Sequence, residues 1–447
     1  MAEAPSSLNH RQPPYSAMPN KLLFPLLKPA LRSVRYIPTS LVTLPASVGL
    51  HFASHPAPTI SNYVISPTTS PLHPPLIFTL ASIPVFYLLG LVTGKVSWVD
   101  KAWPLYPPVI SAMLFGWVLV NHAGGVYAHN IPRIVLMFGL QLIWSFRLFS
   151  HAVKRGFYNP KSEDYRYTVF RKLVPRWAFA LVHAFVIASA QPILLMTLCL
   201  PLYAALVSPP APEQTDGWQT LTFGSISRLL PSHLRKAASP HTPILNMSDY
   251  TMTMVSLLVI YTEYQGDKKM YQFQQSKHDK ISSLPKEQLI HPSVPQSDET
   301  RPLVQEEGLP KPSPYPASHH PGFPTQGMWR FSRHPNFAAE QLFWVSQAMF
   351  AGLSGKDSGL SGKGWWAGCV FGPCFALSLL FLSSTTLTEW ITGRKYPAFK
   401  SYKEIVGEFL PQETLFKWIW TKITGSRERL YQAVYGLPPD ENENLQD

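Results

Sequence analysis

The run from Gly327 to Glu340, Gly-Met-Trp-Arg-Phe-Ser-Arg-His-Pro-Asn-Phe-Ala-Ala-Glu, concentrates residue types that bind anions. Arg330 and Arg333 each present a planar fork of N–H donors, which matches the geometry of a phosphate group. Pro335 is typical of the first turn of a helix, and the free N–H groups of that turn also favour an anion. The run predicts a phosphate-binding corner at the start of a helix. The alternative is a pair of arginines that only anchors a helix end.

Three polar side chains add to this corner. His334 supplies a further donor and Asn336 can hydrogen-bond an amide, while Glu340 lies one turn further along the predicted helix. If that helix crosses a membrane, Glu340 is an ionisable group inside the bilayer, and such groups are rare and typically functional. This carboxylate favours a binding site over a simple helix anchor.

The composition indicates a membrane protein. Of the 447 residues, 46% are hydrophobic and only 14% are charged, whereas a soluble domain carries about 25% charged residues. The apolar residues are concentrated in blocks, and a spanning helix needs roughly 20 of them. The sequence predicts an all-α, polytopic membrane helical bundle of about seven transmembrane helices. The blocks are 75–94, 105–121, 131–150, 177–207, 247–264, 338–353 and 365–388.

The basic residues follow the loops between these blocks. The formal net charge is +12, and Lys and Arg are concentrated after the first, third and fifth blocks and in the C-terminal tail. The positive-inside rule places these segments in the cytoplasm. Because the charge follows membrane topology rather than a basic face of a soluble fold, we expect no nucleic-acid partner.

The sequence predicts no metal site. The three cysteines lie inside apolar blocks and lack the spacing of metal ligands. His319 and His320 are adjacent, but they lie in a polar loop that is expected to be exposed to solvent.

Five segments describe the organisation that we predict. Residues 1–70 form a basic, proline-rich extension that is expected to be disordered or to lie on a surface. Residues 71–412 form the transmembrane domain, with loop insertions at 208–246 and 277–325. The second insertion combines charge and proline, a composition typical of disorder. Residues 413–447 form a cytoplasmic tail.

An ordered set of motifs resembles the steroid 5α-reductase C-terminal domain superfamily. The Ser-Arg-His-Pro-Asn run is similar to the signature of an uncharacterised membrane-protein branch of it, and sterol reductases have a related run. A block from Glu263 through Asp267 to Phe273 and a closing block from Thr388 to Pro411 resemble further family blocks. Earlier matching positions are Asp100, Trp103, Trp144, Arg147, His151, Arg155, Asp164, Arg166 and Tyr167. Each block alone is weak, whereas the ordered set is specific.

The resemblance implies a steroid 5α-reductase-like fold, with NADPH as the cofactor of a membrane reductase. The reaction would be hydride addition to a carbon–carbon double bond of a lipid-like substrate, such as a sterol, steroid or fatty-acyl group. The protein would position the nicotinamide and polarise or protonate the substrate. The first cofactor candidates are Arg333, His334, Asn336, Glu340 and Tyr402, followed by Asp267, Arg394, Asp164 and Arg166.

The chain also departs from the family pattern. Phe337 replaces the usual Tyr, Ala339 replaces the usual Gly, and Lys269 replaces the usual Gln. The Tyr–Glu pair that polarises the enone in steroid 5α-reductases has no counterpart that can be aligned. We therefore assign no catalytic residue from the sequence.

Two other functions remain open at this point. The first is a non-catalytic lipid-binding membrane protein on the same fold. The second is an S-adenosylmethionine-dependent methyltransferase resembling isoprenylcysteine carboxyl methyltransferases, which share an Arg-His-Pro run. The expected location is the endoplasmic reticulum membrane. The mitochondrial membrane is the alternative, because the first 40 residues are basic and nearly free of acids.

We predict that the 277–325 loop and the C-terminal tail face the cytoplasm, because the basic loops share that side. Protease added to sealed microsomes should cleave this loop as readily as it does in detergent-opened microsomes. A loop that is cleaved only after detergent treatment would contradict this topology.

Overall fold

The computed structural model describes residues 36–54, 58–66, 69–121, 131–207, 221–222, 243–245, 247–292, 310–357 and 372–436. In chain order the helices are α1 (Tyr36–Ser54), α2 (Ile60–Ile65), α3 (His73–Thr93), α4 (Trp98–Ala102), α5 (Tyr106–Val120), α6 (Ile131–Lys154), α7 (Tyr165–Leu173), α8 (Arg176–Leu181), α9 (Gln191–Thr197), α10 (Leu200–Val207), α11 (Met247–Ser283), α12 (Pro335–Asp357), α13 (Gly372–Lys395), α14 (Ala398–Ile405), α15 (Pro411–Ile423) and α16 (Arg427–Tyr435). The strands in these ranges are β1 (Leu221–Thr222), β2 (Pro243–Leu245), β3 (Leu289–Ile290) and β4 (Tyr315–Pro316). The protein is therefore mostly helical, as predicted.

Four helices of the described chain are long and apolar enough to cross a membrane. They are α3, α6, the helical stretch Arg176–Leu206 and α13, and α5 is apolar but shorter. On α3, the large apolar side chains of Leu88, Leu91 and Val92 are exposed, as lipid-facing residues are. The four helices indicate a membrane-embedded protein. The seven predicted blocks coincide with helices over most of their described residues, and residues 365–371 of the last block lie outside the described part. Seven spans are not confirmed, because α11 and α12 are more polar than a typical span.

The N-terminal region is helical where it is described. Tyr63 of α2 is buried, and its hydroxyl lies 2.7 Å from Nδ1 of His73 at the start of α3. The predicted disordered or surface-lying extension thus contains two helices within its described residues. α1 has no buried residue from 42 to 54, as in a surface-lying segment, whereas α2 packs on the bundle through Tyr63. Residues 1–35 lie outside the described part.

The predicted block 177–207 contains a π-helical segment, Val182–Ala190, between α8 and α9. Such segments widen a helix and often occur at functional sites. The segment presses His183 onto α3, where a Cβ atom on Gly90 would lie 2.3 Å from Nε2 of His183. A side chain at position 90 would require the His183 ring to move.

Buried ion pairs join α6 to α11. Near one end, the Arg133 guanidinium donates to both carboxylate oxygens of Asp249, at 2.6 and 3.0 Å. Near the other end, Arg147 donates to Glu263 and Asp267. An unpaired charge inside a helical bundle is costly. The two clusters therefore hold α6 against the part of α11 between Asp249 and Asp267.

The insertion 277–325 is structured at both of its described ends, which corrects the prediction of a disordered loop. Helix α11 continues to Ser283, and β3 pairs with β4 in antiparallel fashion. Phe323 is buried against Tyr396 and Tyr402. The aromatic ring of Phe323, within the insertion, thus packs against rings that are distant in sequence. Residues 293–309 lie outside the described part.

The tail and the first insertion also contain regular structure. α15 begins two residues before the predicted tail, and α16 packs on α14 through Leu430 and Val434. Within 208–246, β1 and β2 form an antiparallel pair. The rest of that insertion lies outside the described residues.

We expect Phe323→Ala to lower the free energy of unfolding by about 3–5 kcal/mol, because the ring fills a buried aromatic cluster. Thermal or chemical unfolding of the purified protein in detergent measures this change. Phe185→Ala is the matched control, since that ring is 68% exposed. Equal effects of the two substitutions would mean that the insertion does not pack as described.

Candidate functional site

A cavity of about 760 Å³ lies among α6, α7, the π-helical segment, α12 and α13. This volume is typical of small-molecule sites. Its walls are mainly apolar, and they include Phe170, Val186, Ile187, Phe381 and Leu387. Its polar lining includes Asp100, Arg155, Asp164, Arg166, Tyr167 and Glu340. The cavity is therefore suited to an apolar ligand that also carries polar groups.

The Asp164-x-Arg166 motif forms the start of α7. Asp164 caps the helix, because its Oδ1 accepts a hydrogen bond from the Arg166 N–H at 2.9 Å. The Arg166 side chain donates back to Asp164 Oδ2 at 2.7 Å and also to the hydroxyl of Ser384 on α13. Burial raises the pKa of Asp164, but the hydrogen bonds and charge of Arg166 outweigh it and leave the pKa lowered. The motif ties α7 to α13 at the edge of the cavity.

Asp100 and Tyr167 form a second polar contact in the cavity. Burial raises the pKa of Asp100 to about 6, against the charge of Arg166 and the influence of the neighbouring Tyr167 hydroxyl. Burial, and then the charge of Asp100, raises the pKa of Tyr167 well above its ordinary value. Oδ2 of Asp100 is buried and has no hydrogen-bond partner among the described residues. A protonated hydroxyl therefore lies beside a carboxyl group that titrates near neutral pH.

Glu340 reaches the cavity from α12. Its Oε1 accepts a hydrogen bond from Nε1 of Trp103 at 3.1 Å. One turn earlier, Phe337 also lines the cavity and packs on Phe381, with ring centroids 4.8 Å apart. The first two turns of α12 thus supply one carboxylate and one aromatic wall.

Asn336 and Asp267 belong to the buried network of α6 and α11. Nδ2 of Asn336 donates to Oδ1 of Asp267 at 3.1 Å, and the other oxygen of Asp267 accepts from Arg147. Neither residue lines the cavity. Their contacts join α12 to the other two helices.

Arg333 is committed to protein acceptors. Its Nε donates to Glu389 Oε1 at 2.6 Å and its Nη2 to Oε2 at 3.3 Å, while Nη1 donates to the carbonyl oxygen of Val406. His334 Nε2 and Lys403 Nζ also lie within 3.0 Å of Glu389. The Arg333 side chain is only 4% exposed. Its guanidinium is therefore an internal clamp on the end of α13.

Tyr402 and Arg394 also contact protein. The Tyr402 hydroxyl donates to the carbonyl oxygen of Trp329 at 2.6 Å, and the ring is buried. Nε of Arg394 donates to the carbonyl oxygen of Pro310 at 3.2 Å, and its guanidinium lies over the ring of Trp390.

The structure thus brings only some of the residues of the predicted cofactor site to the cavity. Asp164, Arg166 and Glu340 line the cavity. The cavity is not lined by the other candidates, namely Arg333, His334, Asn336, Tyr402, Asp267 and Arg394. The candidates do not share one cavity, and the donors of Arg333 are taken by Glu389 and the carbonyl oxygen of Val406. Asp100 and Tyr167, which the sequence motifs included, were given no role in the predicted site.

A mostly helical bundle with four candidate spans and an internal cavity indicates a membrane-embedded protein. The chain belongs to the family described as protein of unknown function (DUF1295), whose model matches residues 86–227 and 218–406. It is 26% identical over 342 residues to the uncharacterized protein C594.04c of Schizosaccharomyces pombe, and the match covers 73% of this chain and 78% of that protein. No solved structure matches the chain.

We expect Arg333→Met to lower the free energy of unfolding by about 3–5 kcal/mol, because it leaves the buried Glu389 without its bidentate partner. Arg330→Met is the control from the same motif, since that side chain is exposed. Thermal unfolding in detergent should separate the two variants. If both variants unfold like the unsubstituted protein, Arg333 is not an internal clamp.

Proposed function

We propose that the chain is an NADPH-dependent membrane reductase that acts on a carbon–carbon double bond of a lipid-like substrate. We further propose a steroid 5α-reductase-like bundle of about seven spans in the endoplasmic reticulum membrane. The observation that supports the activity is the pairing of Asp100 with Tyr167 in a cavity whose other walls are mainly apolar.

The polar pair fits the protein's part in such a reaction. Reduction of a conjugated double bond adds a hydride to one carbon and a proton to the other. The Tyr167 hydroxyl is protonated at neutral pH, so it can donate a hydrogen bond to a substrate carbonyl and polarise the double bond. It can also hold the proton that the substrate receives. Asp100, with a pKa of about 6, is placed to return a proton to the tyrosine oxygen.

The apolar walls fit the rest of the substrate. Phe170 comes from α7, Ile187 from the π-helical segment and Leu387 from α13. A lipid-like molecule buries its hydrocarbon against such side chains and gains roughly 25 cal/mol for each Å² of apolar surface removed from water. One carbonyl at the polar pair would fix its orientation.

The residues around the cavity fit an anionic cofactor at one place. The Arg155 side chain is exposed at the cavity edge, and its guanidinium has no hydrogen-bond partner within the described ranges. His151, one turn earlier on α6, lies beside it in the lining. Arg155 and His151 would therefore hold phosphate groups, while Asp164 keeps Arg166 in place. NADPH, when bound, supplies the hydride.

Non-catalytic lipid binding is the second candidate. Phe337 lines the cavity with an apolar ring, and Arg333 is occupied by Glu389. Both observations suit a site that holds a lipid without an anionic cofactor beside it. The two candidates differ in whether the protein binds NADPH at all.

The experiment that tests the proposal titrates NADPH and, separately, S-adenosylmethionine against the purified protein in detergent. Binding of NADPH is expected, with weaker affinity in Arg155→Ala, because the loss of one charged hydrogen bond costs about 1.5–3 kcal/mol. Binding of S-adenosylmethionine alone would indicate the methyltransferase. Binding of neither, with lipid retained through purification, would favour the second candidate.

We expect Tyr167→Phe to lower the rate of NADPH oxidation with conjugated enone lipids by about 100-fold or more, because it removes the proton donor. NADPH affinity should not change. Tyr165→Phe is the matched control on the same helix, since that ring is 48% exposed and lies outside the cavity lining. Equal rates in the two variants would remove Tyr167 from the reaction.

A further inference from the structure

Helix α15 turns its apolar face away from the protein. The exposed large side chains on it are Leu415, Phe416, Ile419, Trp420 and Ile423. At 3.6 residues per turn, these positions share one face of the helix. A helix at the surface of a water-soluble region shows the opposite arrangement, with its apolar face toward the core.

The inward face of α15 is polar and tightly bonded. The Thr414 hydroxyl accepts from the Gly407 N–H at 2.7 Å and donates to the carbonyl oxygen of Phe331 at 2.6 Å. Lys417 donates to the carbonyl oxygen of Lys403 at 2.8 Å and pairs with Glu413 at 2.9 Å. These bonds hold the helix in one orientation, so the exposed apolar face is a fixed feature of the fold.

The position of α15 in the fold favours the membrane as the surface that covers this apolar face. Its partners are the segment that leads into α12 and the segment that follows α13, a candidate span that ends at Lys395. α15 therefore lies beside the end of a span. The exposed apolar side chains Leu379 and Leu382 of that span continue the same kind of surface.

The charged and aromatic residues of α15 also favour a position at the membrane surface. Trp420 is 58% exposed, and tryptophan is enriched where a membrane meets water. Lys422 is exposed at the end of the helix, and Arg427 follows it. Cations beside an apolar face favour anionic lipid headgroups.

We propose that α15 lies in the boundary between headgroups and acyl chains of the membrane that holds the spans, with Phe416, Ile419 and Ile423 in contact with lipid. The segment that the sequence predicts to be a cytoplasmic tail thus begins as a membrane-bound helix. This inference is independent of the proposed reductase activity.

The test uses the full-length protein in lipid nanodiscs, with its three cysteines replaced by alanine. Single cysteines at Ile419→Cys and Phe416→Cys are labelled with an environment-sensitive fluorophore. Ala433→Cys is the matched control, since it is an exposed position on the neighbouring helix α16. Unchanged thermal unfolding of each labelled protein shows that it is folded.

The expected result is that lipids brominated near the headgroup quench the labels at 416 and 419, while aqueous iodide quenches mainly the label at 433. Nanodiscs with phosphatidylserine should strengthen the lipid quenching relative to phosphatidylcholine alone. Full iodide quenching at 416 and 419 would overturn the proposal. Protection of both positions from iodide and from brominated lipid would also overturn it, and would indicate a protein partner or a second copy of the chain.

Discussion

A charge inside an apolar helical bundle must be paired, and the arrangement of this protein depends on that requirement. Arg147 satisfies it by donating to Glu263 and Asp267, which makes α6 and α11 one unit. Asp267 then accepts from Asn336, so the start of α12 joins the same unit. Because the start of α12 is fixed in this way, Glu340 reaches the cavity one turn later.

The arginine-rich corner acts on the cavity indirectly. Arg333 and His334 are held by Glu389, and the ring of His334 lies 5.8 Å from that of Phe337. Phe337 is itself a wall of the cavity. A substitution in the corner is therefore expected to change the shape of the cavity through Phe337, although Arg333 itself does not line it. The residues that most resemble a binding motif thus pack against a wall of the cavity rather than lining it.

The sequence was sufficient for the long apolar helices, because blocks of apolar residues identify them without knowledge of their neighbours. It missed the shorter and more polar helices, such as α2 and α16. It was not sufficient for the contacts between distant segments. Nothing local indicates that Glu389 takes the donors of Arg333, or that Tyr396 buries Phe323 of the insertion. The N–H donors of Arg330 and Arg333 were therefore assigned to a bound phosphate. The position of Asp100 beside Tyr167 was invisible for the same reason, since α5 and α6 separate the two residues in the chain.

The polar groups of the cavity follow the same pairing rule. Asp164 and Arg166 neutralise each other and are tied to α13, so they add little net charge to the cavity. Asp100 lacks such a partner for its Oδ2 atom within the described chain. A buried acceptor of this kind is costly unless a ligand or a proton satisfies it. The described chain therefore leaves an open acceptor at Asp100, in a cavity whose walls are mainly apolar. Under the proposed function, a polar group of the substrate meets the protein at this acceptor and at Tyr167.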